Sequence, residues 1–152
     1  IISIMADKKI SELTTASTLT GTEQIPLVQA STTKKITVSS FNKLIVVSKT
    51  ASAAETVNLD DSTYDNAQII KLSWTGANGT AVYTLPDATN HTNRKIRFIS
   101  DSTFHSNTHV ELTPKSGQNL DGSTNNYDIN KAYEGIAVWS DGTEWFIIQK
   151  KA

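Results

Sequence analysis

Apolar and polar positions alternate over short runs of roughly 5–8 residues through most of the second half of the chain, with turn-forming residues between the runs. Residues 80–85 set Ala81, Tyr83 and Leu85 against Val82 and Thr84. Residues 94–100 put Ile96 and Phe98 on one face and Arg97 and Ile99 on the other, and residues 109–113 hold Val110 and Leu112. Residues 67–74 are apolar at Ile69 and Leu72 without strict alternation. Period-two alternation marks a half-buried strand. Pro86-Asp87, Pro114, Gly117 and Gly122 punctuate the series, and short strands between such turn signals predict a sandwich or barrel.

The clearest local prediction is the last hairpin. Residues 137–140 and 143–146 flank Asp141-Gly142, the favoured two-residue type I′ turn, in which both positions take positive φ. That loop sets Val138 opposite Trp145, Ala137 opposite Phe146 and Ile136 opposite Ile147. One face then carries Ile136, Val138, Trp145 and Ile147. The other carries Ala137, Phe146 and Ile148, with Trp139 and Glu144 near the turn. A strand apolar on both faces is either central in a sandwich or packed against another chain.

The first third of the chain reads differently. Ile10, Leu13 and Leu19 stand apart among polar residues, and Gly21 closes a turn. Gln24 to Gln29 forms a short strand through Ile25, Pro26, Leu27 and Val28, and Pro26, lacking an N–H, keeps it from a central position. Residues 30–34 read as a polar loop, and Ile36 and Val38 share one face of a return strand. Ser39 or Ser40 can cap a short helix over residues 41–47. The small polar stretch 49–56 reads as a linker. The expected organisation is an N-terminal arm, 1–48, a linker, 49–56, and a C-terminal β-domain, 57–152. An arm so poor in apolar side chains needs a surface to dock on.

Composition strengthens the β reading. Thr, Ser and Asn make up about a third of the chain, and charged residues are 19%, below the usual share of roughly 25%. Thr favours strands, and Asn and Ser favour turns. A net charge of −1 supplies no basic field for nucleic acid or an anionic membrane, so neither is an expected partner. No apolar run approaches the roughly 18–20 residues of a membrane-spanning helix. The absence of cysteine excludes a disulfide scaffold, a thiolate metal site and a cysteine nucleophile.

Candidate chemistry is sparse. His105 and His109 stand four apart, a zinc-helix spacing, but the residues between them are turn formers without a helical period. Asp60, Asp61 and Asp65, and the stretch 121–128, are oxygen-rich without EF-hand spacing, and Asx-turns account for both. No Ser lies in a Gly-x-Ser-x-Gly elbow. Residues 75–80, with Gly76 and Gly79 but no following Lys, read as a hairpin turn rather than a phosphate loop. No catalytic residue, metal ligand or cofactor is expected. Trp74, Trp139 and Trp145 could stack on sugar, although Trp145, with its apolar cross-strand partners, reads as core.

The segment Lys9-Ile10-Ser11-Glu12-Leu13 … Leu19-Thr20-Gly21-Thr22-Glu23-Gln24-Ile25-Pro26-Leu27-Val28-Gln29 … Thr33-Lys34-Lys35-Ile36-Thr37 resembles an N-terminal module of tailed-bacteriophage virion proteins. That family includes head fibres, capsid-decorating proteins and tail-fibre or appendage proteins. The match covers about residues 7–45. The stretch from Thr84-Leu85-Pro86-Asp87-Ala88 to Gly142-Thr143-Glu144-Trp145 is similar, more loosely, to phage-fibre β-domains.

The resemblance implies a non-enzymatic, usually homotrimeric virion protein. Ile10, Leu13, Leu19, Ile25, Pro26, Leu27, Val28, Ile36 and Val38 would anchor the arm to the major capsid protein or another virion protein. Ile136, Val138, Trp139, Trp145, Phe146 and Ile147 would form a subunit interface or core. The expected fold is mostly β: an extended arm with a small hairpin and short helix, then an antiparallel, jelly-roll-like β-sandwich, as a trimer. Because the chain ends directly after one β-domain, capsid decoration or a short head fibre is expected ahead of a short tail fibre or tail adaptor. A module binding host-surface glycan is the alternative from another class; an exposed Trp74 or Trp139 beside a polar pocket would favour it.

Overall fold

The computed structural model describes residues 24–29, 32–37 and 44–151. The chain divides into two compact units, Ile1–Lys43 and Leu44–Ala152. In the first, β1 (Gln24–Gln29) and β2 (Thr32–Thr37) form an antiparallel two-stranded sheet in which Ile25 faces Ile36 and Pro26 faces Lys35. Both strands are edges, a position Pro26 tolerates. The return strand starts at Thr32, so the polar loop is shorter than residues 30–34. Val38, Ile10, Leu13 and Leu19 lie outside the described residues.

The second unit is built from nine strands: β3 (Val46–Ala51), β4 (Thr56–Asn58), β5 (Ile69–Trp74), β6 (Gly79–Thr84), β7 (Lys95–Ser100), β8 (Thr108–Thr113), β9 (Tyr127–Ile129), β10 (Gly135–Ser140) and β11 (Trp145–Lys151). They form a five-stranded sheet, β11-β10-β7-β5-β3, and a four-stranded sheet, β4-β6-β8-β9. From β3 to β8 the chain crosses from one sheet to the other at every step. Successive turns of this coil pair in parallel: Val46 lies beside Ile69 and Ile69 beside Arg97 in one sheet, Thr56 beside Val82 and Gly79 beside Thr108 in the other. Then β9 returns antiparallel on β8, and β10 and β11 add antiparallel beyond β7.

The register stacks apolar side chains in rows, through the parallel pairs of the coil and the antiparallel pairs that follow it. Val47, Ile70, Phe98 and Ile136 form one inward row, and Val57, Tyr83, Leu112 and Tyr127 form another in the opposite sheet. Ala81, Val110 and Ile129 form a third. All belong to or pack on one apolar core. Burial alternates strictly along β5, β7 and β8, with Ile70, Leu72 and Trp74, then Ile96, Phe98 and Ser100, then Thr108, Val110 and Leu112 pointing inward. Fully burying each large side chain contributes roughly 1.5–3 kcal/mol.

Several expectations are corrected by this topology. The sandwich is mixed, not antiparallel, and so does not follow a jelly-roll path. Alternation reports which face is buried and carries no information on strand direction. The helix expected over 41–47 does not extend through its last residues: Leu44 and Ile45 are irregular, Val46 and Val47 open β3, and residues 41–43 lie outside the described part. The β-branched pair is stiff at χ1 and gains a ladder with Ile69 and Ile70.

The expected linker over 49–56 is folded into the domain, and the unit boundary falls at Lys43–Leu44 rather than after 48. Ala51 is fully buried at the end of β3, and Glu55 accepts hydrogen bonds from Lys49 and from the Ser52 N–H. These residues are small because the arcs between the sheets stack closely. A Cβ on Gly79 would stand 2.6 Å from the Cβ of Ala53. Residues 75–78 are likewise an arc between sheets and not a hairpin turn, since β5 and β6 belong to different sheets.

The last hairpin forms with a four-residue loop. Ser140 faces Trp145, Trp139 faces Phe146 and Val138 faces Ile147, and a bulge follows between Ala137 and Val138. The Asp141 carboxylate accepts the N–H groups of Thr143 (2.7 Å) and Glu144 (2.9 Å), and of the loop's residues only Gly142 takes positive φ. That Asx-turn displaces the type I′ geometry. The register moves by two residues from the predicted one, so near the turn each side chain keeps its predicted face.

Gly79→Ala should therefore lower stability by about 1–3 kcal/mol, because the new Cβ would overlap Ala53 on the neighbouring arc. Urea unfolding of the full chain, with Thr75→Ala as a neighbouring control, measures this.

Candidate functional site

Most polar groups of the β-domain are engaged in holding its loops. Glu134, 4% exposed, accepts the Asn130 N–H (2.8 Å), the Lys131 N–H (3.1 Å) and the Tyr127 hydroxyl (3.0 Å). It closes the loop entering β10. Burial, then the bond to this carboxylate, pushes the Tyr127 hydroxyl up to about 12. Ser100 donates to the carbonyls of Lys131 and Glu134. The Asp121 carboxylate accepts the Ile147 N–H (2.7 Å), covering part of the outer edge of β11. Asp61 accepts from the Thr63 N–H, as an Asx-turn requires.

At one end of the sandwich the loops of successive turns are tied by a charged network. Asp60 lies 3.2 Å from the His91 Nε2 and 3.4 Å from the Lys115 Nζ. Lys115 also reaches Asp87 at 2.9 Å, and Gln118 donates to Asp87 at 2.7 Å. Arg94 donates to the Tyr64 carbonyl. The Thr89 hydroxyl, then Lys115 and Gln118, hold the Asp87 carboxyl far below its ordinary 3.8. Partial burial of Asp60 acts upward, but bonds from His91, the Asp87 backbone and Lys115 outweigh it and leave its pKa lowered. The bond to Asp87 raises Lys115. Every member has a partner within the fold, so the network explains itself as structure.

The opposite case is an outward-facing cluster on the four-stranded sheet. His109 and Glu111 lie two apart on β8 and so share a face, and Asp128 of β9 stands directly across from Glu111. Donor atoms of the three side chains lie within 4.8 Å of one another. The His109 Nε2 is 2.9 Å from the Thr80 hydroxyl, on the adjacent strand, and 3.9 Å from Glu111 Oε1. Asn126 donates to the other Glu111 oxygen at 2.8 Å. The His109 Nδ1 is buried without a hydrogen-bond partner. Sequence reasoning paired His109 with His105, read Asp128 as part of an Asx-turn stretch, and missed Glu111. His105 sits in a turn, exposed, and the Glu111–Asp128 juxtaposition exists only through the β8–β9 register.

The residues expected to form an interface or core divide by face. Ile136, Val138 and Trp145 are core, and the Trp145 indole donates to the Pro86 carbonyl at 2.8 Å. Ile147 is half-buried against that core. Trp139 and Phe146 are half-buried on the outer face, ring centroids 5.9 Å apart, with Ile148 exposed beyond them. Trp74 is 8% exposed, edge-on to Phe104. Of the arm residues, Ile25, Pro26, Leu27 and Val28 lie in β1 and Ile36 in β2. An open groove of about 820 Å³ runs over the outer face of the five-stranded sheet, between Leu44, Ile69, Arg94, Arg97 and Ile148, and no aromatic side chain lines it.

Comparison with protein-family models and with curated protein sequences found no match. No helix among the described residues is long and apolar enough to cross a membrane.

The charged network carries a pH signature. A carboxyl whose folded pKa is depressed stabilises the fold fully above its unfolded value, and that contribution is lost as pH falls toward the folded value. The melting temperature should fall as pH is lowered from about 5 to about 2, and fall less in Asp87→Asn, when followed by circular dichroism. The raised Lys115 adds a contribution that is complete below pH 10.5 and lost above it.

Proposed function

We propose that the protein is a non-enzymatic structural component of a tailed-bacteriophage virion: a homotrimeric capsid-decoration or short head-fibre protein, anchored to the major capsid protein by its N-terminal module. The observation that carries this reading is the segment 7–45, whose residues resemble the virion module. Its Ile-Pro-x-Val-Gln and Thr-x-Lys-x-Thr elements fall on β1 and β2, in a unit separate from the β-domain. The β-domain supports the reading by its chemistry. Its one fully buried carboxylate among the described residues, Glu134, is consumed by loop closure. The chain as a whole is polar and close to neutral, with a net charge of −1. Such a module adds contact area to a shell without a reaction.

The trimer contact we assign is the outer face of β10 and β11, with Trp139, Phe146 and Ile148 at its centre. Large aromatic side chains left half-exposed on a rigid sheet suit a subunit interface. The glycan-binding alternative is less well supported. Trp74 is closed off by Phe104, and the groove on the sheet has no aromatic platform for a sugar ring.

Antibodies to residues 53–152 should label the heads of native particles in electron micrographs. Label confined to tails would move the protein to a tail fibre or adaptor. Native mass spectrometry should give a trimer for the full chain. Trp139→Ser with Phe146→Ser should shift it to monomer with the far-UV spectrum retained; an unchanged trimer would remove the assigned interface.

A further inference from the structure

We propose that His109, Glu111 and Asp128 form a binding site for one divalent transition-metal cation of the zinc class, on the outer face of the four-stranded sheet. The inference is independent of the virion reading and departs from the sequence-based expectation of no metal.

Three observations carry it. First, the donors come from rigid elements. His109 and Glu111 project from the same side of β8, and Asp128 is held opposite by the β8–β9 ladder, so all three stand on one face without any loop having to fold. Second, Glu111 and Asp128 are like charges directly across an antiparallel pair, an arrangement that destabilises a sheet. Among the described residues no Lys or Arg lies within ion-pair distance of either carboxylate. A divalent cation converts that repulsion into attraction. Third, the donor set is mixed: one imidazole and two carboxylates, with open positions for water. Imidazole directs such a site toward zinc-like ions and away from calcium, which takes oxygen donors.

The distances define what closure requires. Ligands of a tetrahedral zinc stand roughly 3.5 Å apart. The three donors lie within 4.8 Å, and Asp128 is exposed, so a change of its rotamer brings the set together. His109 bound through Nε2 would give up the Thr80 contact and carry its proton on Nδ1, which has no acceptor. The site therefore lacks the second hydrogen bond that strengthens a metal-bound imidazole, and binding weaker than in a structural zinc centre follows.

Titration of the full chain with zinc chloride by isothermal calorimetry tests the proposal. One cation per chain is expected, with a zinc-dependent rise in melting temperature. His109→Ala should weaken binding by at least about tenfold. His105→Ala, four residues away on an exposed turn, should leave it unchanged. Asp128→Asn separates binding from folding: it should weaken zinc binding and yet raise the melting temperature of the metal-free protein, because it removes the like-charge pair. Absence of heat and of a melting shift at millimolar zinc would overturn the proposal. So would affinity that survives His109→Ala, or equal affinity for calcium, either of which marks diffuse binding to surface carboxylates.

Discussion

The fold depends on inward side chains stacking in register from one turn of the coil to the next. Val47, Ile70 and Phe98 in one sheet, and Val57, Tyr83 and Leu112 in the other, extended by Ile136 and Tyr127 from the antiparallel strands, fill a single core. Because successive turns pair in parallel, each inward residue meets its counterpart one turn on. The arcs between the sheets must then stack as closely as the strands do. That spacing excludes a side chain at Gly79 and keeps Ala51 and Ala53 small. It also brings successive loops together at the far end, where Asp60, Asp87, His91 and Lys115 can meet.

A coil of strands has ends, and each end here is treated differently. At the start, β3 and β4 are edge strands. Lys49 points from β3 toward the core side and pairs with Glu55, a charge that discourages another strand from docking. At the other end the chain reverses. β9, β10 and β11 pair antiparallel, Glu134 closes the loop before β10, and Asp121 occupies an N–H on the open edge of β11. Lys150 and Lys151 add charge along that same edge, with Lys150 over the Tyr127 ring. These devices leave the outer sheet faces as the broad surfaces available for contact.

Those faces have contrasting chemistry. The outer face of the five-stranded sheet carries Lys71, Lys95 and Arg97 beside Trp139, Phe146 and Ile148. The outer face of the four-stranded sheet carries Thr80, His109, Glu111 and Asp128. The first suits burial against protein and the second suits a cation.

The sequence by itself determined the β character, the approximate place of most strands and which residues of β6, β7 and β10 share a face. Alternation is a local property, read within one strand. It also marked Trp145 as core, and left β10, apolar on both faces, as either central in a sandwich or packed against another chain; the strand order places β10 inside the five-stranded sheet. Only the tertiary structure decided which strands are neighbours and in which direction. An arc between sheets and a hairpin within one use the same Gly, Asn and Ser residues, so residues 75–78 and 141–144 looked alike while doing different work. The small residues of 49–56 read as a linker because close stacking of arcs and lack of structure demand the same side chains. The His109, Glu111 and Asp128 cluster was invisible for the same reason: two of its members are neighbours on one strand, but the third arrives through the β8–β9 register, which the chain acquires only on folding.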